Sequence, residues 1–307
     1  MEHKLTGQLY SGNDLAWRSK DKMHDLKVGF CETCGFHHAY PYPDNEFLSS
    51  YYSQYVIPFP LHQEEMYRFA GIVRSIMRPD SSIIDIGCGK GEMLRALREK
   101  GLNNLYGTEF GSMYDTSKKL EFATILPYDI TQLCKWSSDK SKTFDCTVLI
   151  NVFEHVPEPV SLMRQLKSII SPGGTLIFCV PNDFNRLQLT YLNKTKRKPW
   201  FLSLPDHLNF FNLNTIDGVM TKAGYEIVRK TVQYPLELFL LQGDDYISEP
   251  EKGRICHEKR IAFENSFRET GAESDLEQLY EGFTGMGIGR DMYIIAKPIL
   301  QSNKNPA

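Results

Sequence analysis

Ile83-Ile84-Asp85-Ile86-Gly87-Cys88-Gly89-Lys90-Gly91-Glu92 is a short strand, apolar but for Asp85, that runs into a tight glycine turn and then opens a helix. Glycines permit positive φ and let backbone approach a ligand with no Cβ in the way. A dinucleotide fingerprint needs a third glycine at position 92, where this chain carries Glu92. An NAD-dependent oxidoreductase is disfavoured on that ground. With no pyrophosphate to seat, Gly-x-Gly-x-Gly suits a ligand that lays an amino-acid end and a ribose over the first strand. For the glycines alone, an ordinary strand-to-helix turn stays open.

Working outward, short apolar runs alternate with helical stretches, which is the pattern of a parallel sheet with crossover helices. Strands are expected at Ile83 to Ile86, Leu105 to Thr108, Phe144 to Ile150 and Thr175 to Val180. Helices are expected at Glu92 to Lys100, Ser112 to Leu120 and Val160 to Ile170, the last closed by a Pro172-Gly173-Gly174 turn. An irregular polar stretch then runs to about Asn212, followed by a helix from Asn214 to Ala223 and a strand from Tyr225 to Thr231. A final strand is expected at Met292 to Ala296. The residues before it carry a helical pattern near Glu258 to Phe267 and read as an inserted cap.

Acids recur where a nucleoside would need them. Glu109 follows the second strand, 24 residues after Asp85, where a carboxylate can accept from two ribose hydroxyls. Asp129, in Pro127-Tyr128-Asp129-Ile130, follows a third strand that falls between Leu105 to Thr108 and Phe144 to Ile150, and can accept from an adenine amino group, while Phe110 and Ile130 sandwich the ring. A single acid at such a place is more often a helix cap. Three in this order, each at the carboxyl end of a strand, point to the edge where open α/β sheets bind ligands.

With these residues the sequence resembles the class I S-adenosylmethionine-dependent methyltransferases, over roughly Ser81 to Pro298. Asp85, Gly87, Cys88 and Gly89 are similar to that family's first motif, Glu109 to its ribose acid, and Asp129-Ile130 to its adenine contact. Asn151 to Pro157 is similar to the segment after the fourth strand, and the resemblance implies that backbone around Asn151 holds the amino end of the cofactor. It also implies a Rossmann-like α/β sheet of seven strands with helices on both faces, the last strand antiparallel, and S-adenosyl-L-methionine as cofactor. Glu154-His155-Val156-Pro157 and Pro205 to Phe211 are similar to ubiquinone-biosynthesis O-methyltransferases. Cys31-x-x-Cys34-Gly35, with Tyr42-Pro43-Asp44 and Tyr51-Tyr52, is similar to a branch found with sugar and polysaccharide biosynthesis. Those relatives usually carry a second Cys-x-x-Cys upstream, completing a zinc ribbon, and this chain has none.

The chain of 307 residues, 41% hydrophobic and 24% charged, has the composition of a globular protein and not of a disordered one. The formal net charge of -3 gives no global field for nucleic acid or an anionic membrane. No apolar run reaches the roughly 20 residues that span a bilayer, and the opening residues lead into no signal-peptide stretch, so the expectation is a cytoplasmic protein without nucleic-acid or membrane partners. The expected division is a small N-terminal module over 1–60, a methyltransferase domain over 61–300 with a helical insert at about 234–287, and a tail at 301–307.

Of the seven cysteines, Cys88, Cys134, Cys146, Cys179 and Cys256 are scattered singly and read mostly as core thiols. Cys31 and Cys34 have the spacing of half a zinc knuckle. His3, His24, His37 or His38 could complete four ligands. The expectation is nonetheless a zinc-free remnant with no metal.

Methyl transfer to a hydroxyl benefits from a general base, and the candidates are His207 and His155, with a packing role open for each. The basic stretch Lys194 to Lys198, with Arg186 ahead of it, reads first as a solvated loop and second as a local site for an anionic group on a small-molecule acceptor. The favoured reading is O-methylation of a sugar-type or other biosynthetic intermediate. A quinol-type or amine acceptor, or a catalytically silent cofactor-binding protein, are the alternatives.

Overall fold

The computed structural model describes residues 3–11, 26–53 and 63–299. His24 and the tail at 301–307 lie outside the described residues, as does part of the 1–60 module. The chain opens with strands β1 (Leu5–Tyr10), β2 (Lys27–Cys31) and β3 (Phe36–Tyr40), then helices α1 (Asn45–Ser53) and α2 (Gln63–Ile76). From there strands and helices alternate: β4 (Ser82–Ile86), α3 (Glu92–Glu99), β5 (Asn104–Thr108), α4 (Gly111–Ser117), β6 (Ala123–Leu126), α5 (Ile130–Lys140), β7 (Phe144–Ile150), α6 (Pro159–Leu166) and β8 (Ile170–Pro181). The remainder is α7 (Arg186–Thr195), β9 (Asn209–Phe210), α8 (Ile216–Ala223), β10 (Tyr225–Val232), α9 (Glu237–Gln242), α10 (Pro250–Glu269), α11 (Glu273–Met286) and β11 (Asp291–Pro298).

Seven strands form one mixed sheet in the order β10-β11-β8-β7-β4-β5-β6, with helices around it, which is the Rossmann-like fold expected. The three pairings β4 with β5, β4 with β7 and β5 with β6 are parallel. Strands in such sheets are covered on both faces and read as continuous apolar runs instead of alternating ones. Ile83, Ile84, Val148, Leu149, Leu176, Ile177 and Phe178 are accordingly all fully buried. Each such side chain contributes roughly 1.5–3 kcal/mol of burial. Helix α3 buries Met93, Leu94, Ala96 and Leu97, one stripe of its surface.

Contacts divide the chain into two compact units that do not follow chain order. One comprises Pro43–Phe178, Met220–Arg229 and Ile294–Ala307, and contains most of the seven-stranded sheet. The other comprises Met1–Tyr42, Cys179–Val219 and Lys230–Tyr293. It contains a four-stranded sheet in the order β1-β2-β3-β9, and Phe36 and Phe211 pack there with ring centroids 4.9 Å apart.

Several elements differ from the sequence expectation. Pro172-Gly173-Gly174 does not end a helix but lies inside β8, a strand of 12 residues. Gly173 takes φ +80, and a Cβ at Gly174 would stand 2.8–3.1 Å from neighbouring atoms, including the Asp145 carbonyl of β7. Glycine is thus what lets β8 lie close against β7 there. The stretch expected to be irregular contains α7, whose N-cap Asn185 accepts from the Leu187 and Gln188 amides. The insert's single expected helix is the 20-residue α10, started by Pro250 in its first turn, and α11 follows it. Cys88, Cys146, Cys179 and Cys256 are buried as core thiols should be, while Cys134 is only half-buried. Among the described residues, no helix is long and apolar enough to cross a membrane.

Candidate functional site

Strand register brings the sequence-singled residues to one edge. Ile86 stands beside Thr108 of β5 and Leu149 of β7, and Thr108 beside Leu126 of β6. The next residues along these strands are Gly87, Glu109, Ile150 and Pro127, so Gly87, Glu109, Asn151 and Asp129 all stand at or just past the carboxyl edge. That edge is where parallel sheets expose a ligand crevice.

The glycine turn needs glycine. Gly87, Gly89 and Gly91 take φ of +68, +55 and +83, a region L side chains rarely adopt. A Cβ at position 87 would stand 2.9 Å from Val152 Cγ2, and one at position 91 would collide with Leu120 Cδ1. The turn is clamped to β5 from two directions. The Cys88 amide donates to the Thr108 carbonyl at 2.9 Å, and the Gly87 amide donates to Thr108 Oγ1 at 3.4 Å. Thr108 is passed over by the sequence reading, although its place at the last strand position before Glu109 is a usable signal.

Glu109 is held by backbone. Its two carboxylate oxygens accept from the Gly89 and Phe110 amides, each at 2.8 Å. Burial raises the Glu109 pKa, and those two donations pull it part of the way back. Each oxygen keeps a lone-pair direction for a further donor. Asp85 is fully enclosed, and burial, then the charges of Glu109 and Glu92, hold its pKa well above the ordinary value.

Phe110 caps α4 and leaves 54% of its surface exposed. An open aromatic ring beside such a carboxylate suits the face of a base. Ile130 is half-buried at the start of α5. Asp129 is that helix's N-cap: its carboxylate accepts from the Gln132 amide at 2.8 Å, and the Gln132 side chain accepts from the Asp129 amide at 3.1 Å. The cap that a single acid at such a place usually forms is thus present here, and its reciprocal box is readable in Asp-x-x-Gln. Asn151 is exposed with φ +51, so its peptide units turn away from the strand direction.

The two histidines fall in different units. His155 ends a 3-10 turn, Phe153–His155, just past β7, with its Nε2 3.8 Å from Oε1 of the buried Glu154. His207 lies between α7 and β9, half-buried, its amide donating to the Ser203 carbonyl at 3.0 Å. Arg186 opens α7 and lines a cavity of about 730 Å³ with Asp217 and Lys230, which pair with each other at 2.7 Å. Arg197 in the basic stretch is engaged by Asp245 at 2.5 Å.

Residues 62–230 match a family described as a methyltransferase domain. Over 125 residues the chain is 24% identical to the ubiquinone biosynthesis O-methyltransferase of Xanthomonas campestris pv. campestris (strain B100), covering 40% of this chain and 52% of that protein. Over 176 residues it is 24% identical to the ubiquinone biosynthesis O-methyltransferase of Nitrosospira multiformis, covering 55% and 72%. The chain spans about half the length of most of the curated relatives it matches. A SAM dependent methyltransferase from Archaeoglobus fulgidus superposes with a TM-score of 0.48 at 17% identity, over 83% of this chain and 100% of that one.

Proposed function

This chain belongs to the methyltransferase-domain family, in the class that uses S-adenosyl-L-methionine, and on that premise we propose that it methylates an oxygen of a small-molecule acceptor, a sugar-type or other biosynthetic intermediate. The observation that carries the cofactor site is Glu109: a backbone-held carboxylate in register with a glycine turn that tolerates no Cβ at position 87. Such a pair fits a nucleoside bearing an amino-acid tail. Asp85, Gly87, Cys88, Gly89 and the backbone at Asn151 would hold the tail, Glu109 the ribose, and Phe110, Asp129 and Ile130 the adenine. The bound cofactor supplies a methyl carbon activated by a sulfonium. The chain's part is to aim the acceptor oxygen in line and exclude water. His207 or His155 would take the acceptor's proton as the new carbon–oxygen bond forms and the methyl carbon's bond to the sulfonium sulfur breaks, leaving a neutral thioether. Oxygen is favoured by the curated relatives, which are named O-methyltransferases, and those names also make a quinol-type acceptor the second reading. The organisation that accompanies this proposal is a leading module over 1–60 and a methyltransferase domain over 61–300 with a cap insert near 234–287.

Titration calorimetry with S-adenosylhomocysteine tests the cofactor site. Binding is expected with no measurable NAD binding, and Glu109→Ala should weaken it by about 1.5–3 kcal/mol, the worth of hydrogen bonds to a charged group. Tight NAD binding, with none to S-adenosylhomocysteine, would overturn the reading.

The same titration has a pH dependence of fixed sign. Ribose hydroxyls donate to an ionised Glu109, and its raised pKa means that it protonates above the ordinary 4.5. Affinity should therefore be full above that raised value and fall as pH drops through it. Asp85, also raised, protonates in the same direction, so Glu109→Gln should shrink this limb without abolishing it. An unchanged limb in Glu109→Gln would remove Glu109 from the ribose.

A further inference from the structure

The small four-stranded sheet carries chemistry that methyl transfer does not use. We propose that His3, Cys31, Cys34 and His38 form a closed two-cysteine, two-histidine site for a zinc-like divalent cation. One nitrogen or sulfur from each lies within 4.8 Å of all the others. His3 Nδ1 is 3.4 Å from Cys34 Sγ and 4.0 Å from Cys31 Sγ. Zinc–sulfur and zinc–nitrogen bonds of about 2.3 and 2.0 Å at a tetrahedral angle place such atoms roughly 3.6 Å apart, so the two distances bracket the requirement.

The local fold builds this convergence from separate segments. β2 ends at Cys31, and the chain reverses through Glu32 to Gly35 into β3. Gly35 takes φ +87 and its amide donates to the Cys31 carbonyl at 2.7 Å, while the Cys34 amide donates to Cys31 Sγ at 3.4 Å. An amide aimed at the first sulfur stabilises it as a thiolate, the form that binds metal. β1 pairs antiparallel with β2, with Leu5 opposite Cys31, so His3 arrives beside the turn. The Glu32 amide donates to the Lys4 carbonyl at 3.1 Å and fixes that approach.

His38 supplies the second, independent observation. Its side chain is fully buried, and its Nδ1 sits 2.7 Å from the Ala39 carbonyl, which requires Nδ1 to carry the proton. Nε2 is then the lone-pair atom, and it is buried with no hydrogen-bond partner. A ligating histidine shows this arrangement, one ring nitrogen donating to a carbonyl while the other faces the metal. Four protein ligands leave no open position, and sulfur with imidazole selects zinc over calcium or magnesium. The role is structural: the ion ties the start of the chain to the β2–β3 turn. The sequence expectation of a zinc-free remnant rests on the missing second Cys-x-x-Cys. The geometry replaces that pair with two histidines from opposite sides of the knuckle, 35 positions apart in the chain.

The full chain, purified without chelator, is expected to carry about one zinc by elemental analysis and to lose it in Cys31→Ser. Chelator-stripped full chain titrated with cobalt(II) should develop the intense visible bands of a tetrahedral thiolate site. Because Cys31 is buried, its variant can lose metal by misfolding. His3→Ala, at a half-exposed position, supplies the second test: cobalt affinity should fall by on the order of 10–100-fold or more while S-adenosylhomocysteine binding persists. A chain that is metal-free as purified and gives no cobalt bands overturns the proposal. Unchanged cobalt affinity and spectrum in His3→Ala overturns the ligand set.

Discussion

Glu264→Ala is expected to destabilise the protein by about 3–5 kcal/mol, the cost of leaving one member of a buried ion pair behind. Arg260 and Glu264 lie one turn apart on α10, their side chains only 4% and 5% exposed, with Arg260 Nη1 3.0 Å from Glu264 Oε1. The same carboxylate accepts from the Tyr280 hydroxyl of α11 at 2.5 Å and from Arg268 Nη2 at 3.2 Å. Removing it takes from Arg260 the carboxylate one turn along and from Tyr280 the oxygen its hydroxyl donates to, in a space with little water. Denaturant unfolding of the wild type and variant, compared at fixed pH, reads the loss. The pair itself need not be net stabilising, because burying two charges costs about what their attraction returns. Arg260→Met with Glu264→Leu should accordingly recover most of the stability that Glu264→Ala loses. A Glu264→Ala loss below about 1 kcal/mol would mean that water or Arg268 relieves the site.

That pair also shows where sequence reading reaches its limit. The helical pattern over Glu258 to Phe267 is legible, but an i, i+4 Arg–Glu pair reads as a solvated helix face. Only the partner helix α11, whose Glu273 to Met286 is too mixed in pattern to be read as a packed element, makes it an interior feature. The central sheet is legible for the opposite reason. Strands buried on both faces, such as Phe144–Ile150, need no partner to be recognised, since the run is apolar or small apart from Asp145 near its start. Gly87 to Gly91 is legible because the positive φ values there demand glycine whatever surrounds them. β1 to β3 and the two-residue β9 are not legible, being short and rich in residues that suit loops equally well. The convergence of His3 and His38 on Cys31 is invisible for a related reason: it depends on strand pairing, which the spacing of the residues does not encode.

His207→Ala is expected to lower turnover by about 10²–10⁴-fold, the usual worth of a general base, while S-adenosylhomocysteine affinity stays near that of the wild type. A hydroxyl attacking a sulfonium methyl must lose its proton as the bond forms, and at neutral pH an unprotonated imidazole is suited to take it. His207 precedes β9 on the segment that follows the fifth strand of the expected order, between helix α7 and the small sheet. His155 is the second candidate. It sits in a 3-10 turn at the carboxyl edge of β7, where the neighbouring Glu154 carboxylate, buried at 1% exposure, stabilises an imidazolium once formed. The same neighbour can instead use His155 to orient the Asn151 turn, which is why His207 is placed first. A base must be unprotonated to act, so the wild-type rate should fall as pH is lowered, and the variant lacking the base should lose that limb. Turnover and the pH profile are both needed, since a folding defect lowers the first without flattening the second. Near-normal turnover in both single alanine variants would end the histidine-base proposal. It would leave an amine acceptor, or a transfer driven by positioning alone.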